Sequence, residues 1–324
     1  MKQKIVFWEM TRRCNLKCKH CRMESNYCKD DELSGNKAKE FISSLKEISP
    51  LLILTGGEPL LRDDLFEILG YIKECDIKCA LATNGTLLNE EIAMRIAGAQ
   101  ISRVSISIDS ADKRKHDRFR GLDGAFESAL NGIANLRKFG VSIQINMSVS
   151  KENRNEIEDV LLLAKNVGAI AFHIFMLVPV GSCMNFNNLI SGEEYEKILL
   201  WLLNKSGEIE LRATCTPHYN RVAIQNGKKP VGRGCLAGKD ICFVSYNGFV
   251  QPCGYLPVFA GNVKEMKLKD IWNNSKVFEE LRKRELKGKC GLCEYKKFCG
   301  GCRARAYAIT GDYLEEEKSC IYEP

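Results

Sequence analysis

The chain has 324 residues, 45% of them hydrophobic and 27% charged, a balance that fits one large α/β unit plus a smaller one and excludes a disordered or low-complexity chain. No run of about 18 apolar residues occurs, and Met1 to Met10 lacks the long apolar segment of a signal peptide, so a soluble cytoplasmic protein with no membrane partner is expected. The net charge of +7 is spread along the chain, and short runs such as Arg282-Lys283-Arg284 read as solvated helix faces, so nucleic acid is not an expected partner.

Short apolar strands alternate with helical patterns through the first two-thirds of the chain, the mark of repeated βα units around a parallel sheet. The first strand is expected at Lys4 to Met10. It runs directly into "TRRCNLKCKHC", which carries Cys14, Cys18 and Cys21. A second strand, Leu51 to Thr55, runs into "GGEP", and a helical stretch follows from Asp63 to Glu74. The third, Lys78 to Thr83, opens into "TNGT", and Glu90 to Ile96 again has helical spacing. Further strands are read at Arg103 to Asp109, Ser142 to Val149, and Ala171 to Val178, the last stopped by Pro179. Six parallel strands make an open, partial TIM-like (βα)6 barrel, whose chemistry belongs at the C-terminal rim of its strands. From about Gly232 the sequence turns cysteine- and glycine-rich, so two domains are expected, 1–231 and a metal-stapled 232–324.

Sixteen cysteines in a chain with no export signal are better explained as metal ligands than as disulfides, because a reducing cytosol keeps thiols free. Three closely spaced thiols leave one iron of a cubane iron-sulfur cluster without a protein ligand, and an open metal position implies chemistry there. Zinc is the competing reading, but zinc loops more often pair two cysteines with a distant second pair. In the C-terminal part lie Cys235, Cys242, Cys253, Cys290, Cys293, Cys299, Cys302 and Cys320, enough for two fully ligated cubanes, with two structural zinc sites as the alternative. Of the remaining thiols, Cys28, Cys75, Cys79, Cys183 and Cys215, the second and third sit in core-like positions and read as inert.

The triplet Cys14, Cys18, Cys21, with His20 where an aromatic is usual, together with Gly56-Gly57-Glu58-Pro59, resembles the radical S-adenosylmethionine (SAM) enzymes. The resemblance implies a 4Fe-4S cluster whose open iron binds S-adenosyl-L-methionine and reduces it to a 5′-deoxyadenosyl radical. It implies that Gly56, Gly57 and Glu58 hold the methionyl amino group, that Thr83, Asn84, Ser107 and Asp109 lie near the ribose, that Arg120 meets the carboxylate, and that Val178 borders the adenine. For Ser107 and Asp109 a strand end that caps the next helix is the alternative. The C-terminal pattern resembles the SPASM extension of these enzymes. That resemblance implies a first auxiliary cluster on Cys235, Cys242, Cys253 and Cys302 and a second on Cys290, Cys293, Cys299 and Cys320.

The stretches Phe172 to Pro179, Arg212 to Val222, Cys242 to Val258 and Cys299 to Tyr313 resemble the haem-biosynthesis branch that starts from sirohaem. The implied reaction is oxidative decarboxylation of two propionates of iron-coproporphyrin III to vinyl groups, giving haem b, with a reductant such as ferredoxin or flavodoxin as partner. Didecarboxysirohaem deacetylase and d-type haem enzymes of that branch share the pattern, and peptide- or sulfatase-modifying maturases share the C-terminal extension. An electron-transfer iron-sulfur protein is the non-enzymatic alternative, opposed by the open triplet. Cations suited to a tetracarboxylate are Arg212, Arg221, Arg303 and Arg305, although the last two could also lie on a solvated helix face. Catalytic candidates are His173, Cys215, His218 and Tyr219, each weighed against a hydrogen-bonded or packed core residue.

Overall fold

The computed structural model describes residues 4–23, 31–185, 188–205 and 209–324. One sheet runs through it, formed by β1 (Ile5–Glu9), β2 (Leu51–Thr55), β3 (Cys79–Thr83), β4 (Val104–Ser107), β5 (Ile143–Val149), β6 (Ala171–Met176), β7 (Glu210–Thr214), β8 (Ile241–Val244), β9 (Phe249–Gln251) and β10 (Gly261–Asn262). The strand order is β10-β9-β8-β1-β2-β3-β4-β5-β6-β7. From β8 to β7 every neighbouring pair is parallel, and β8, β9 and β10 pair antiparallel among themselves.

Alternation along the strands decides which way the sheet curves. Val6, Trp8, Leu52 and Leu54 are fully buried on the outer face, where the Trp8 ring meets Phe41 edge-on at 5.4 Å. Phe41 belongs to the helix Gly35–Leu45, which Ser34 caps and which buries Ala38, Phe41, Ile42 and Leu45 on one stripe. Each large apolar side chain so buried contributes about 1.5–3 kcal/mol. The intervening residues Phe7, Ile53 and Thr55 are only half-buried and line the concave face. The sheet is therefore a helix-backed trough, an open partial barrel, as the α/β pattern predicts.

Four strands, β7 to β10, were not expected. β7 extends one edge, and β8, from the cysteine-rich segment, docks on the other with Ile5 opposite Ile241. The expected boundary at 231/232 is thus not a break in the fold, because backbone pairing crosses it. The Arg282-Lys283-Arg284 run also departs from expectation. Arg282 Nε donates to the Gly238 carbonyl at 3.1 Å and Arg284 Nη1 to those of Lys296 and Lys297, so these guanidinium groups tie loops together; Lys283 alone of the three keeps an exposed ion pair, with Glu279. Among the described residues no helix is long and apolar enough to cross a membrane.

Candidate functional site

Three rim loops are stitched together at the C-terminal ends of β1, β2 and β3. Gly57 N–H donates to the Thr11 carbonyl at 2.8 Å and Glu58 N–H to that of Arg13 at 2.7 Å, so the "GGEP" segment lies flat along the start of the cysteine loop. A Cβ on Gly57 would stand 2.2 Å from the Arg13 carbonyl oxygen, which is why no larger residue fits. Glu58 is fully buried. Its carboxylate accepts from Thr83 Oγ1 at 2.8 Å, Asn84 N–H at 2.8 Å and Leu60 N–H at 3.1 Å. Burial pushes its pKa up, and those three donors hold the rise in check. Asn84 Nδ2 in turn donates to Asn15 Oδ1 at 2.9 Å, inside the cysteine loop. Glu58, Thr83 and Asn84 thus lock the loops to one another. Asn15 joins them and escaped the sequence reading, since an Asn beside a cysteine carries no spacing signal.

Asp109, fully buried beyond the end of β4, is paired with Arg120 at 2.6 Å and accepts Ser148 N–H at 2.7 Å. It caps no helix; Asp112 caps the helix Lys113–Arg120 that follows. Burial alone would raise its carboxyl, but Arg120, His20, His116 and the Ser148 amide outweigh that and hold it below the usual range. Arg120 Nη1 also approaches Cys18 Sγ at 3.8 Å. His20 stacks on Phe119 with ring centroids 4.4 Å apart, and burial lowers its pKa to about 4. Ser107 stands half-buried on the concave face, opposite Asn146.

The three loop thiols are half-buried and act on one another electrostatically. Burial pushes Cys14 up to about 12 and raises Cys18, so they are protonated as they stand and metal loading would release protons. Leu16 N–H and the Arg120 guanidinium point at Cys14 and Cys18, the donor environment that a negatively charged cluster requires. Among the described residues no three His, Cys, Asp or Glu side chains converge closely enough to hold a single metal ion. The donor set and its surroundings fit a cluster.

The C-terminal thiols fall into two groups. Cys290, Cys293, Cys299 and Cys320 line one cavity, with Arg221, Lys289 and Lys296 on its wall to balance negative charge. In the other, Cys215, Cys253 and Cys302 pack in a common cluster, and the charges acting on Cys215 include those of Cys302, Cys253 and Cys235. Cys242, assigned to this set by resemblance, is elsewhere. It lies fully buried on β8 in the apolar core, and among the described residues Lys4 is the one charged group that acts on it. Cys215, which does lie in this group, has a left-handed backbone (φ +61°) and a carbonyl that accepts from Arg305 Nη2 at 3.1 Å and the Tyr195 hydroxyl at 3.2 Å. A cysteine at positive φ is a strained conformation that the surroundings must impose. Val178, buried, packs on this same cluster. Cys75, Cys79 and Cys183 are buried away from both groups; Cys28 lies outside the described residues.

Other expected site residues are engaged structurally. His173 Nδ1 is 3.0 Å from Gln144 Nε2 and its Nε2 3.5 Å from Glu210, in a network with Arg103 at the N-terminal ends of the strands, below the rim. His218 is buried between Tyr195 and Glu317, and Tyr219 packs on the main core. Arg221 forms a fork on Glu196, Arg303 binds the Tyr313 and Glu315 carbonyls, and Arg305 pairs with buried Glu317 at 2.9 Å. Arg303 and Arg305 are therefore not a solvated face. Arg212 is exposed on the edge strand against Glu210. Each of the four is already paired with a carboxylate or with backbone carbonyls.

The family model of the radical SAM superfamily matches residues 8–164, and that of the SPASM iron-sulfur cluster-binding domain residues 235–302. The AdoMet-dependent heme synthase of Methanosarcina barkeri is 49% identical, covering 99% of this chain and 97% of that protein. The Fe-coproporphyrin III synthase of the same organism is 29% identical over 98% and 88%. Among solved structures, SuiB of Streptococcus suis bound to its precursor peptide SuiA superposes with a TM-score of 0.79 at 16% identity, covering 99% of this chain and 76% of that one.

Proposed function

The chain belongs to the radical SAM superfamily and carries a SPASM iron-sulfur domain, and on that premise we propose that it oxidatively decarboxylates two propionates of iron-coproporphyrin III to vinyl groups, giving haem b. The observation that carries this reading is 49% identity along essentially the whole length of an AdoMet-dependent heme synthase. It is an enzyme that uses S-adenosyl-L-methionine and 4Fe-4S clusters.

Cys14, Cys18 and Cys21 would hold the radical-generating cluster, which with bound S-adenosyl-L-methionine supplies a hydrogen-abstracting 5′-deoxyadenosyl radical when reduced by a donor such as ferredoxin or flavodoxin. Each propionate loses one hydrogen atom from the carbon β to its carboxylate, then carbon dioxide and one electron, leaving a vinyl group. Gly56, Gly57 and the Glu58–Thr83–Asn84 lock would shape the cofactor's cradle, Ser107, Asp109 and Val178 its walls. Arg120, already shared between Asp109 and Cys18, would set the charge beside it. Cys215, Cys235, Cys253 and Cys302 would hold one auxiliary electron acceptor and Cys290, Cys293, Cys299 and Cys320 the other. Residues 1–231 and 232–324 then divide the labour unevenly, since the first part lends Cys215 to the second.

The test is anaerobically reconstituted protein with reductant, S-adenosyl-L-methionine and iron-coproporphyrin III, followed by mass spectrometry of the porphyrin. Mono- and divinyl products are expected. Formation of 5′-deoxyadenosine with the porphyrin unchanged would leave the radical chemistry standing and overturn the substrate.

A further inference from the structure

The three-thiol loop and the Cys215 group are joined through the turn that follows β6. The turn after β6 is laid on the cysteine loop. Ser182 N–H donates to the Cys21 carbonyl at 3.0 Å, and a Cβ on Gly181 would come within 2.3 Å of the Arg22 carbonyl oxygen. Val178 and Val180 of this turn pack in the cluster that contains Tyr255, Cys215 and Cys253. Tyr255 N–H donates to Cys253 Sγ at 3.4 Å. Gly254 is pressed against the Phe243 ring, which a Cβ would meet at 3.0 Å, and the Arg22 guanidinium lies over that same ring, 4.5 Å from its centroid. Arg22 and Tyr255 therefore share the 178–182 turn as a neighbour, and Gly254, next to Tyr255, meets the ring that Arg22 covers.

Both side chains have polar capacity to offer. Cys215, Arg22, Cys253 and Cys21 all act electrostatically on the Tyr255 hydroxyl, so it lies near both thiol groups. Among the described residues that hydroxyl forms no hydrogen bond, and Tyr255 remains half-buried rather than sealed. Arg22 Nη2 stands 2.9 Å from Glu9 Oε1 yet is not aligned to donate to it. A carboxylate bound away from bulk water requires donors, and a guanidinium and a phenol together supply charge and a directed O–H. The arginines named from the sequence are engaged elsewhere, whereas Arg22 adjoins the radical-generating loop itself.

We propose that Tyr255 and Arg22 receive a substrate carboxylate, a propionate side chain of a tetrapyrrole, between the Cys21 loop and the Cys215–Cys253 pair. This rests on the haem-forming reading. The reacting side chain is thereby held within reach of the site where a hydrogen atom is removed and of the site where an electron is accepted.

The experiment is spectroscopic titration of the anaerobic, cluster-loaded protein with iron-coproporphyrin III and with its tetramethyl ester, on preparations matched for iron and sulfide. The wild type should prefer the free acid. Tyr255→Phe, which keeps the ring and its packing, should weaken free-acid binding about tenfold and leave ester binding where it was. Arg22→Gln should act in the same direction, and it carries the measurement if Tyr255→Phe fails to load iron. Undiminished preference for the free acid in both variants overturns the assignment. If wild type makes vinyl products in that case, the haem-forming reading survives the loss. If wild type binds neither porphyrin, both fall together.

Discussion

Arg120 bridges two groups of opposite purpose: its Nη2 lies 2.6 Å from the fully buried Asp109 carboxylate, and its Nη1 lies 3.8 Å from the Cys18 thiol. Asp109→Ala would leave the guanidinium buried with its principal counter-charge gone, a loss of about 3–5 kcal/mol. Anaerobic urea unfolding of the metal-free protein would measure it. Because the Asp109 pKa is depressed in the fold, its contribution is present above the unfolded value, near about 3.9, and is lost as pH falls through the folded value. The gap between wild type and variant should therefore close in strong acid, and an equal gap at all pH values would count against the ion pair.

Every histidine of the chain, His20, His116, His173 and His218, is held down to about 4, in each case chiefly by burial. Such a group binds its proton less readily folded than unfolded, so its share of stability is complete above about 6.5 and is lost on acidification toward about 4. Each would contribute up to about 1.4 kcal/mol per pH unit inside that window. Metal-free protein should lose stability steeply between pH 7 and pH 5, and His218→Gln should flatten the profile. A level profile there would contradict the burial of these rings.

Cys215→Ser and Cys242→Ala should part company in iron content. The first should lose auxiliary-cluster iron, and the second should retain it while losing about 1–3 kcal/mol of stability from the core beneath β8. Iron analysis with low-temperature electron paramagnetic resonance reads the difference. The reverse pattern would restore Cys242 to the cluster and return Cys215 to packing.

Gly57→Ala drives a methyl group into the Arg13 carbonyl, and the relief available is displacement of the cysteine loop. Affinity for S-adenosyl-L-methionine should fall about tenfold or more, equivalent to about 1.4 kcal/mol. Calorimetric titration of the reconstituted protein would show it. Unchanged affinity would mean that the two loops move together more freely than their hydrogen bonds suggest.

Strands β1 to β6 were readable because apolar residues packed on outer helices alternate with smaller or polar ones on the trough. β7 was not, since Glu-Leu-Arg-Ala-Thr on an edge carries two long charged side chains and reads as loop. Cys242 and Cys215 show a different limit. The family resemblance placed Cys242 among the ligands, but its position on β8 turns its side chain into the core, while Cys215 comes from the barrel segment through a left-handed bend that no spacing rule anticipates. The arginines Arg221, Arg303 and Arg305 were misread for a related cause: a guanidinium suits a substrate carboxylate and a buried Glu equally, and partner choice is settled in three dimensions.

The pairing of β8 with β1 also bears on the order in which the protein can be assembled at the ribosome. β1 emerges first, but one of its two neighbours, Ile241–Val244, is made only after more than two-thirds of the chain. Until then β1 presents a row of unpaired backbone groups, and the loop bearing Cys14, Cys18 and Cys21 hangs from an unfinished edge. A fragment ending near residue 231 would keep that edge open and tend to self-associate. The strand that carries the first cysteine loop thus acquires its second neighbour only with the last third of the polypeptide.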